Sequence, residues 1–289
     1  MQTNAPETMG VIYRLQMSQL HPHPQNPFSI RDDQAMLDLI QSVQSHGVLV
    51  PAIARPRPDG EYEIIAGHRR KHASELAGLD FMPVVVLDLN DDEAIIQLVD
   101  SNIQRENILP SERAKAYKMR MEAMKRQGAR TDLTSPNISA KFRSDDELGQ
   151  EVGVSGDTIR NYASLTNLVP ELMQMVDEGR IKLSPAYQIA ALPHNEQSLL
   201  LDTIESEQAT PSLSQAQRMK RLSQNGELNE DVLLEIMMEQ KKPVRNDITL
   251  SGEKLRKYFP KSYSPIQMEN VIFKLLETWQ RKRKRDQSR

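Results

Sequence analysis

The sequence contains no cysteine, and this absence excludes a disulfide-stabilised scaffold, a thiolate metal site and a cysteine nucleophile. Aromatic residues make up only 4% of the 289 residues and charged residues 27%, a composition typical of helix-rich proteins and poor in β-sandwich formers. No stretch approaches the roughly 18 consecutive apolar residues of a membrane span. The opening MQTNAPETMG lacks the apolar core of a signal peptide. We therefore expect a cytoplasmic protein of two or three small domains.

The formal net charge of −3 conceals an uneven distribution of charge along the chain. Residues 1–110 carry 8 basic and 15 acidic side chains, whereas residues 111–143 carry 9 basic and 3 acidic ones. A basic segment can bind nucleic-acid phosphates with an affinity that falls as salt rises. It can equally be a solvated helix face followed by a flexible loop. Charge alone leaves both interpretations open.

Strands and helices alternate in the first part of the sequence, which predicts a small α/β domain. The turn Pro58-Asp59-Gly60 indicates a β-hairpin, and Asn90 with Glu93 forms a capping pair at the start of a helix. The predicted elements are a strand over 11–17, a proline-rich loop over 21–27, a helix over 32–45, strands over 52–55 and 62–66, a helix over 68–77, a strand over 83–89 and a helix over 90–105.

After Pro110 the pattern becomes helical up to about residue 240, with a polar loop over 128–143. Capping signals mark helix starts at Ser144, at Ser184-Pro185 and at Ser212 with Gln215. A break at 241–243 precedes a β-like stretch over 244–250 and a final helix capped by Ser264, Pro265 and Gln267. That helix carries one apolar stripe, which suits either packing within its own domain or self-association: Met268, Val271, Ile272, Leu275, Leu276 and Trp279.

The stretch DDELGQEVGVSGDTIRNYASL (145–165) predicts a helix-turn-helix motif. Two helices that meet at a sharp angle need a small residue at their contact, here Gly149, and a glycine in the turn, here Gly153. We expect the inner face to consist of Leu148, Val152, Val154, Ile159 and Tyr162. The second helix should expose short polar side chains suited to base edges in a major groove, namely Ser155, Gly156, Asp157, Thr158, Arg160 and Asn161. An ordinary helical hairpin is the alternative.

A second motif, EIIAGHRRKHASELAG (63–78), places two arginines in the first turn of a helix that follows a strand and a glycine. Cations are unfavourable at a helix N-terminus unless an anion lies between them and the helix. Backbone N–H groups with Arg69 and Arg70 would suit a phosphate. Alternatively, the two arginines point to solvent or pair with Glu75 or Asp100.

The segment VDSNIQREN (99–107) offers a cluster of amides and one arginine at a helix end. Asn102, Gln104, Arg105 and Asn107 could hold a nucleotide or orient a hydrated cation. Such residues also cap helices, so this segment by itself does not distinguish ligand binding from helix capping.

Five segments follow one another along the chain: GVLVPAIARP (47–56), AGHRRKHASELAG (66–78), SNIQREN (101–107), the helix-turn-helix and VPELMQMVDEGRIKLSPAYQIAAL (169–192). In this order they resemble the ParB/RepB family of plasmid and chromosome partition proteins. The resemblance covers about residues 10–205. It implies an α+β, mostly helical fold with a small ParB/sulfiredoxin-like α/β domain. The implied division is a nucleotide-binding domain over 10–108, a DNA-binding domain over 109–207, a helical linker over 208–242 and a C-terminal dimerisation segment with a long helix over 243–289.

The resemblance also implies a function: a centromere-binding, sequence-specific DNA-binding protein, in which CTP with Mg²⁺ closes a homodimer into a DNA clamp. It assigns the nucleotide to Gly67, His68, Arg69, Arg70, Gln104 and Arg105, the metal to Asn102, and the cytidine side to residues 48–55. The implied partners are a palindromic, parS-like DNA site and a ParA-type ATPase. The implied location is the cytoplasm, on the nucleoid.

Three positions depart from the family pattern. His68 stands where glutamate is usual, His72 where arginine is common, and Ser101 where the family has the glutamate linked to hydrolysis. A serine hydroxyl is a poor base at neutral pH, so CTP binding is better supported than a weak CTPase activity. One alternative is a DNA-binding transcriptional regulator that uses no nucleotide. An enzyme of the sulfiredoxin or nuclease branch is the least favoured, because the catalytic cysteine and a cluster of carboxylates are both lacking.

Overall fold

Five short strands form a single sheet in the first part of the chain. The computed structural model describes residues 11–105, 108–131, 144–239, 255–260 and 262–287. It divides into a unit over 1–239 and a unit over 240–289. The strands are β1 (Ile12–Gln16), β2 (Leu20–Pro22), β3 (Ala52–Pro56), β4 (Tyr62–Ala66) and β5 (Phe81–Val86).

The sheet has the strand order β1-β5-β3-β4-β2 and mixes two kinds of pairing. β1 with β5 and β3 with β4 are antiparallel, whereas β5 with β3 and β4 with β2 are parallel. The predicted β-hairpin, formed by β3 and β4, is therefore confirmed. The prediction of a loop over 21–27 is wrong at its start, because His21 and Pro22 belong to edge strand β2, where a proline is tolerated. The strand predicted over 83–89 begins earlier, because Phe81 and Met82 pair with β1.

Three helices pack around this sheet: α1 (Gln34–His46), α2 (His68–Leu76) and α3 (Asp91–Asp100). Asp33 caps α1, its carboxylate accepting from Met36 N at 2.9 Å, so this helix starts two residues later than predicted. The capping pair of Asn90 with Glu93 at the start of α3 is confirmed. α3 ends at Asp100 rather than near residue 105, and turns follow it.

The remainder of the first unit is helical, as predicted. Its helices are α4 (Pro110–Thr131), α5 (Ser144–Val152), α6 (Gly156–Ser164), α7 (Pro170–Asp177), α8 (Leu183–Ile189), α9 (His194–Glu207), α10 (Leu213–Gln224) and α11 (Glu230–Met238). Ser212 and Gln215 form the expected capping box. Ser184 and Pro185 lie inside α8 rather than at its cap, because the N-cap position is Lys182.

One hydrophobic core joins the helices from α7 to α11. Leu172 and Ile189 are fully or almost fully buried in it, and so are Ala216 and Met219 on α10 and Leu233 on α11. The described part of the segment predicted as a linker, 208–242, is therefore helical but contributes to this core instead of only connecting two domains. Packing of amphipathic helices against several neighbours supplies most of their stability.

The second unit contains α12 (Pro265–Gln287). Ser264 and Gln267 form the predicted capping box, with Ser264 N donating to Gln267 Oε1 at 2.8 Å. Met268 in the predicted stripe is buried, whereas Leu275, Leu276 and Trp279 are exposed. The predicted break at 241–243 and β-like stretch over 244–250 lie outside the described residues. In the part of the chain that the structure describes, no helix is both long and apolar enough to span a membrane.

Candidate nucleotide pocket and DNA-binding helices

The corner between β4 and α2 is built around Gly67. Its φ of +105° lies in the left-handed region, which favours glycine. A Cβ atom at this position would lie 2.9 Å from Ala52 Cβ and 3.2 Å from Ala52 Cα. Both the backbone conformation and the neighbouring strand β3 therefore require glycine here. The corner sets the direction in which the first turn of α2 leaves the sheet.

A cavity of about 160 Å³ opens at this corner. It brings together most of the residues that the sequence motifs predicted, although those motifs lie more than 30 residues apart in the chain. The described lining residues are Asn26, Phe28, Ser29, Ile30, Gly67, His68, Arg69, Arg70, Ser101, Asn102 and Arg105. Polar side chains, helix N–H groups and three guanidinium groups in one concave site are typical of an anion-binding site.

Arg69 and Arg70 have different partners within the protein. Arg69 Nη2 lies 3.1 Å from Asp33 Oδ1, and Arg70 Nη1 donates to the carbonyl of Pro51 at 2.6 Å. The alternative pairing with Glu75 or Asp100 is not observed, because Glu75 pairs with Lys71 and Asp100 with Arg120. Burial lowers the pKa of the Arg70 guanidinium, which indicates a partly desolvated cation.

Arg105 approaches the same cavity from the turn after α3. Burial has the largest effect on the pKa of Arg105 and lowers it, and the nearby Arg69 guanidinium lowers it further. Two like charges held close together in a partly dry site are destabilising unless an anion neutralises them. Gln104, predicted to bind nucleotide, is exposed and does not line the cavity, so the structure does not bring it to the pocket.

Asn102, the predicted metal ligand, is already engaged. Its Oδ1 accepts from Arg105 Nη1 at 3.0 Å, and its Nδ2 donates to the carbonyl of Leu98 at 2.9 Å. The Ser101 hydroxyl donates to the same carbonyl at 2.9 Å. The oxygen that would bind a cation is therefore occupied by a guanidinium group.

The donor set does not fit a Mg²⁺ site made by the protein alone. Mg²⁺ is usually bound through one or two carboxylates together with substrate phosphates. The described residues that line the cavity include no carboxylate, and within the described parts of the chain no group of three or more carboxylates or imidazoles could hold a metal ion. The assignment of a metal to Asn102 is thus not supported by this arrangement.

His68, which replaces the usual glutamate, is a buried neutral imidazole. Burial lowers its pKa to about 4, and the nearby His23, Arg105 and Lys71 add to this effect. A carboxylate at this position would carry a negative charge beside the arginines, whereas the neutral imidazole carries none, so the counter-charge of Arg69 comes from Asp33 instead. The substitution therefore makes the pocket more positive.

Residues 48–55, predicted to line the cytidine side, do not line the described cavity. Leu49 and Val50 are exposed, whereas Ala52 and Ala54 are buried in the sheet. The loop is connected to the site indirectly, through the hydrogen bond from Arg70 to Pro51.

Sequence reasoning missed the segment 26–30, which forms one wall of the cavity. Ser29 is held from α4, because Glu112 Oε1 accepts from Ser29 N at 2.9 Å. A second cavity of about 340 Å³ shares Ser29, Arg69 and Arg105 with the first and adds Arg31, Asp33 and Glu112. The segment lies in a loop that carries no recognisable ligand pattern, so its sequence held no signal for this role.

The helix-turn-helix geometry is confirmed. A Cβ on Gly149 would lie 2.6 Å from the carbonyl oxygen of Val154, and Gly153 has a φ of +74°. Leu148 and Ile159 are fully buried together with Tyr117 of α4. The inner-face prediction is wrong for Val154, which is 38% exposed because it lies in the turn.

The second helix of the motif, α6, presents part of the predicted polar surface. Ser155, Asp157 and Asn161 are exposed, and Thr158 is half-buried. Gly156 is buried against Asp146, so the prediction that it is exposed is wrong. Arg160 forms ion pairs with Asp145 and Asp157, so both of its Nη atoms are engaged by carboxylates.

An aromatic ladder holds α6 against its neighbours. The Tyr162 ring on α6 makes edge-to-face contacts with Tyr117 on α4 and Tyr187 on α8, with centroid distances of 5.7 and 5.9 Å. Arg113 lies over the Tyr162 ring at 5.5 Å. These contacts give α6 a defined orientation, as a helix that enters a groove requires.

Two family models match this chain in order. Residues 1–103 match the ParB N-terminal domain and residues 137–211 match the ParB HTH domain. The chromosome-partitioning protein Spo0J of Thermus thermophilus is 31% identical over 187 residues, which cover 65% of this chain and 62% of the relative. The probable chromosome 1-partitioning protein ParB of Deinococcus radiodurans is 33% identical over 180 residues, 62% of this chain and 56% of the relative. The chain thus spans less than two thirds of the length of these two curated relatives.

A solved structure of Caulobacter crescentus ParB, C-terminally truncated and complexed to the centromeric parS site, is also similar. It has 25% identity and a TM-score of 0.44 over 74% of this chain and 99% of that one. The same protein complexed with CTP-γ-S has 29% identity and a TM-score of 0.32 over 63% and 93%. By these two domain matches, residues 1–103 and 137–211 of this chain belong to the ParB N-terminal and ParB HTH domain families.

Proposed function

We propose that this chain is a sequence-specific DNA-binding partition protein of a chromosome, plasmid or mobile element, and that it acts as a CTP-gated dimeric DNA clamp. Relatives named as chromosome-partitioning proteins support the partition role. The proposed place of action is the nucleoid in the cytoplasm. Membership of the family supports CTP as the nucleotide.

The observation that carries the proposal is the cavity at Gly67. Three guanidinium groups, from Arg69, Arg70 and Arg105, converge on it from two separate parts of the chain. A polyphosphate is the ligand class that suits several guanidinium groups and helix N–H donors at one site. Any Mg²⁺ would have to arrive with the phosphate oxygens, because the cavity lacks the carboxylates that such an ion prefers.

The DNA-binding part of the proposal rests on α6. Ser155, Asp157, Thr158 and Asn161 offer hydrogen-bonding groups on or near its surface, and Arg160 could add one on leaving a carboxylate. A palindromic, parS-like site follows from a two-fold symmetric dimer, because each subunit would bind one half-site. We propose no DNA contact for Gly156, which is buried.

The exposed apolar residues of α12 support dimerisation through the last helix. Leu275, Leu276 and Trp279 form an apolar surface that a second copy could cover. A ParA-type ATPase is proposed as a further partner on the strength of family membership alone. No residue is assigned to that contact.

Equilibrium binding of CTP to the full chain, with and without the DNA site recovered by chromatin pull-down, tests the proposal. Arg69→Ala should weaken CTP binding by roughly 10- to 150-fold, the value of a charge-assisted hydrogen bond of about 1.5–3 kcal/mol. Basal DNA recognition should be retained. Lys71→Ala is the matched control, because Lys71 lies on the same helix and pairs with Glu75.

A DNA-binding regulator that uses no nucleotide is the second candidate. The observation that favours it is the hydrogen bond from Arg105 to Asn102, which occupies the oxygen needed for a metal. This candidate predicts no CTP binding in the presence or absence of DNA, together with normal binding to the DNA site. Equal loss of CTP and DNA binding in Arg69→Ala would contradict the pocket assignment.

A further inference from the structure

The N-terminal ends of α1 and α2 face one another across a single ion pair. Arg69, in the first turn of α2, lies with Nη2 3.1 Å from Oδ1 of Asp33, which caps α1. The same carboxylate oxygen accepts from Met36 N at 2.9 Å. Helix N-termini carry partial positive charge, so two of them and a guanidinium group together require a negative partner. Asp33 supplies that charge within the protein.

Asp33 also lines the second cavity, where Arg69 and Arg105 are exposed to the same space. Arg31 adds a further cation to this lining, and Glu112 adds a carboxylate that is bound to Ser29. An anion that enters between Arg69 and Arg105 therefore meets a carboxylate that already neutralises one of the two arginines.

We propose that Asp33 is a built-in counter-anion that competes with the nucleotide phosphates for Arg69 and so lowers the affinity of the pocket. This inference rests on the proposed function, because it concerns the same phosphate-binding residues. Phosphate binding at Arg69 requires the Asp33 carboxylate to give up its guanidinium partner or to share it. The free energy of that exchange is subtracted from the free energy of binding.

The exposure of the two side chains limits the size of the effect. The Asp33 side chain is 49% exposed and the Arg69 side chain 27% exposed, so water screens their attraction. The interaction free energy of such a partly exposed pair is well below that of a buried pair. We therefore expect removal of the Asp33 charge to raise the affinity by about two- to fivefold.

Asp33→Asn removes the charge but keeps a side-chain oxygen that can cap α1, because asparagine is as good an N-cap as aspartate. Asp32→Asn is the matched control. Asp32 is the preceding residue, pairs with His72 at 2.9 Å, and lines neither cavity. Both variants change the net charge by the same amount, so a general effect of charge would appear in both.

The experiment measures binding of CTP and of inorganic triphosphate to the full chain by isothermal titration calorimetry. Asp33→Asn should bind both ligands about two- to fivefold more tightly, with a smaller gain in Asp32→Asn. We expect the same increase in affinity for the two ligands, because Asp33 acts on the phosphates and not on the base. In an Arg69→Ala background, Asp33→Asn should give a clearly smaller gain, as a double-mutant cycle would show, because only the longer-range attraction of Asp33 for Arg105 remains.

Equal or weaker CTP binding by a folded Asp33→Asn, while the wild type binds, would overturn this inference and leave the proposed function standing. A gain of undiminished size in the Arg69→Ala background would also overturn it. Absence of binding by the wild type and the variant alike, with and without DNA, would refute both proposals. Should Asp33→Asn fail to fold, Asp33→Ser provides a second neutral cap for the same measurement.

Discussion

Arg120 of α4 connects the end of α3 beside the candidate pocket with α5, the first helix of the helix-turn-helix. Its Nε lies 2.7 Å from Oδ1 of Asp100, and its Nη2 forms a close ion pair with Glu151 on α5. The guanidinium-bearing side chain is almost completely buried. Asp100 directly precedes Ser101 and Asn102, so a displacement in the pocket has a short physical route to the helix-turn-helix.

Glu151→Gln tests this route. The charge pair with Arg120 is lost, but the Glu151 side chain is half exposed, so we expect the unfolding free energy to fall by no more than about 1 kcal/mol. The change in DNA affinity caused by CTP should become smaller, while each ligand alone binds as before. Glu147→Gln, an exposed position on the same helix, is the control. Full retention of the CTP effect would show that Arg120 does not transmit it.

Gly67→Ala tests the corner between β4 and α2. The new Cβ would combine a left-handed backbone conformation with a contact 2.9 Å from Ala52 Cβ, so we expect a loss of about 2–3 kcal/mol and weaker nucleotide binding. Gly60→Ala is the control, because Gly60 also has a positive φ but has nothing within 4 Å of a Cβ. Chemical denaturation measures both variants. Equal losses would mean that the contact with β3 contributes nothing.

Asn161→Ala tests base recognition by α6 with little risk to the fold, since Asn161 is exposed. Loss of a base contact should reduce the difference in binding free energy between specific and random DNA by about 1–3 kcal/mol. Arg160→Ala should behave differently, because it also leaves the buried Asp145 carboxylate without its ion-pair partner and lowers stability. Competition binding with thermal melts separates the two effects. An unchanged ratio for Asn161→Ala would exclude it from base reading.

His68 predicts a loss of stability in mild acid. Burial lowers its pKa to about 4 from the ordinary value of 6.5, so the unfolded chain binds a proton in this range and the folded chain does not. Stability from this group is complete above pH 6.5 and is lost as the pH falls from 6.5 towards 4. Between pH 7 and pH 5 the loss should be about 2 kcal/mol.

Urea denaturation at several pH values measures this effect, and His68→Gln should flatten the dependence on pH. A slope remains in that variant, because burial also lowers the pKa of His23. His46→Gln, which removes an exposed imidazole from the end of α1, is the control. The same steep slope in wild type and His68→Gln would contradict the assignment.

Local patterns predicted the features that depend on neighbouring residues. Gly149 and Gly153 marked the helix-turn-helix because a close helix contact and a left-handed turn each restrict the residue locally. The capping boxes at Asn90, Ser212 and Ser264 follow from the same kind of short-range hydrogen bonding. The errors at His21 and Pro22 arose because edge-strand pairing with β4 is a long-range contact.

The sequence by itself determined the mixed strand-helix order, the helix-turn-helix and the concentration of arginines at a strand-to-helix corner. These features depend on residue spacing and intrinsic conformational preference. Only the tertiary structure decided that Ser29 lines the cavity with Arg69, that Gln104 does not, and that Asp33 holds Arg69. Such contacts depend on how distant segments pack, and no local spacing encodes the position at which a side chain meets a partner 36 or more residues away.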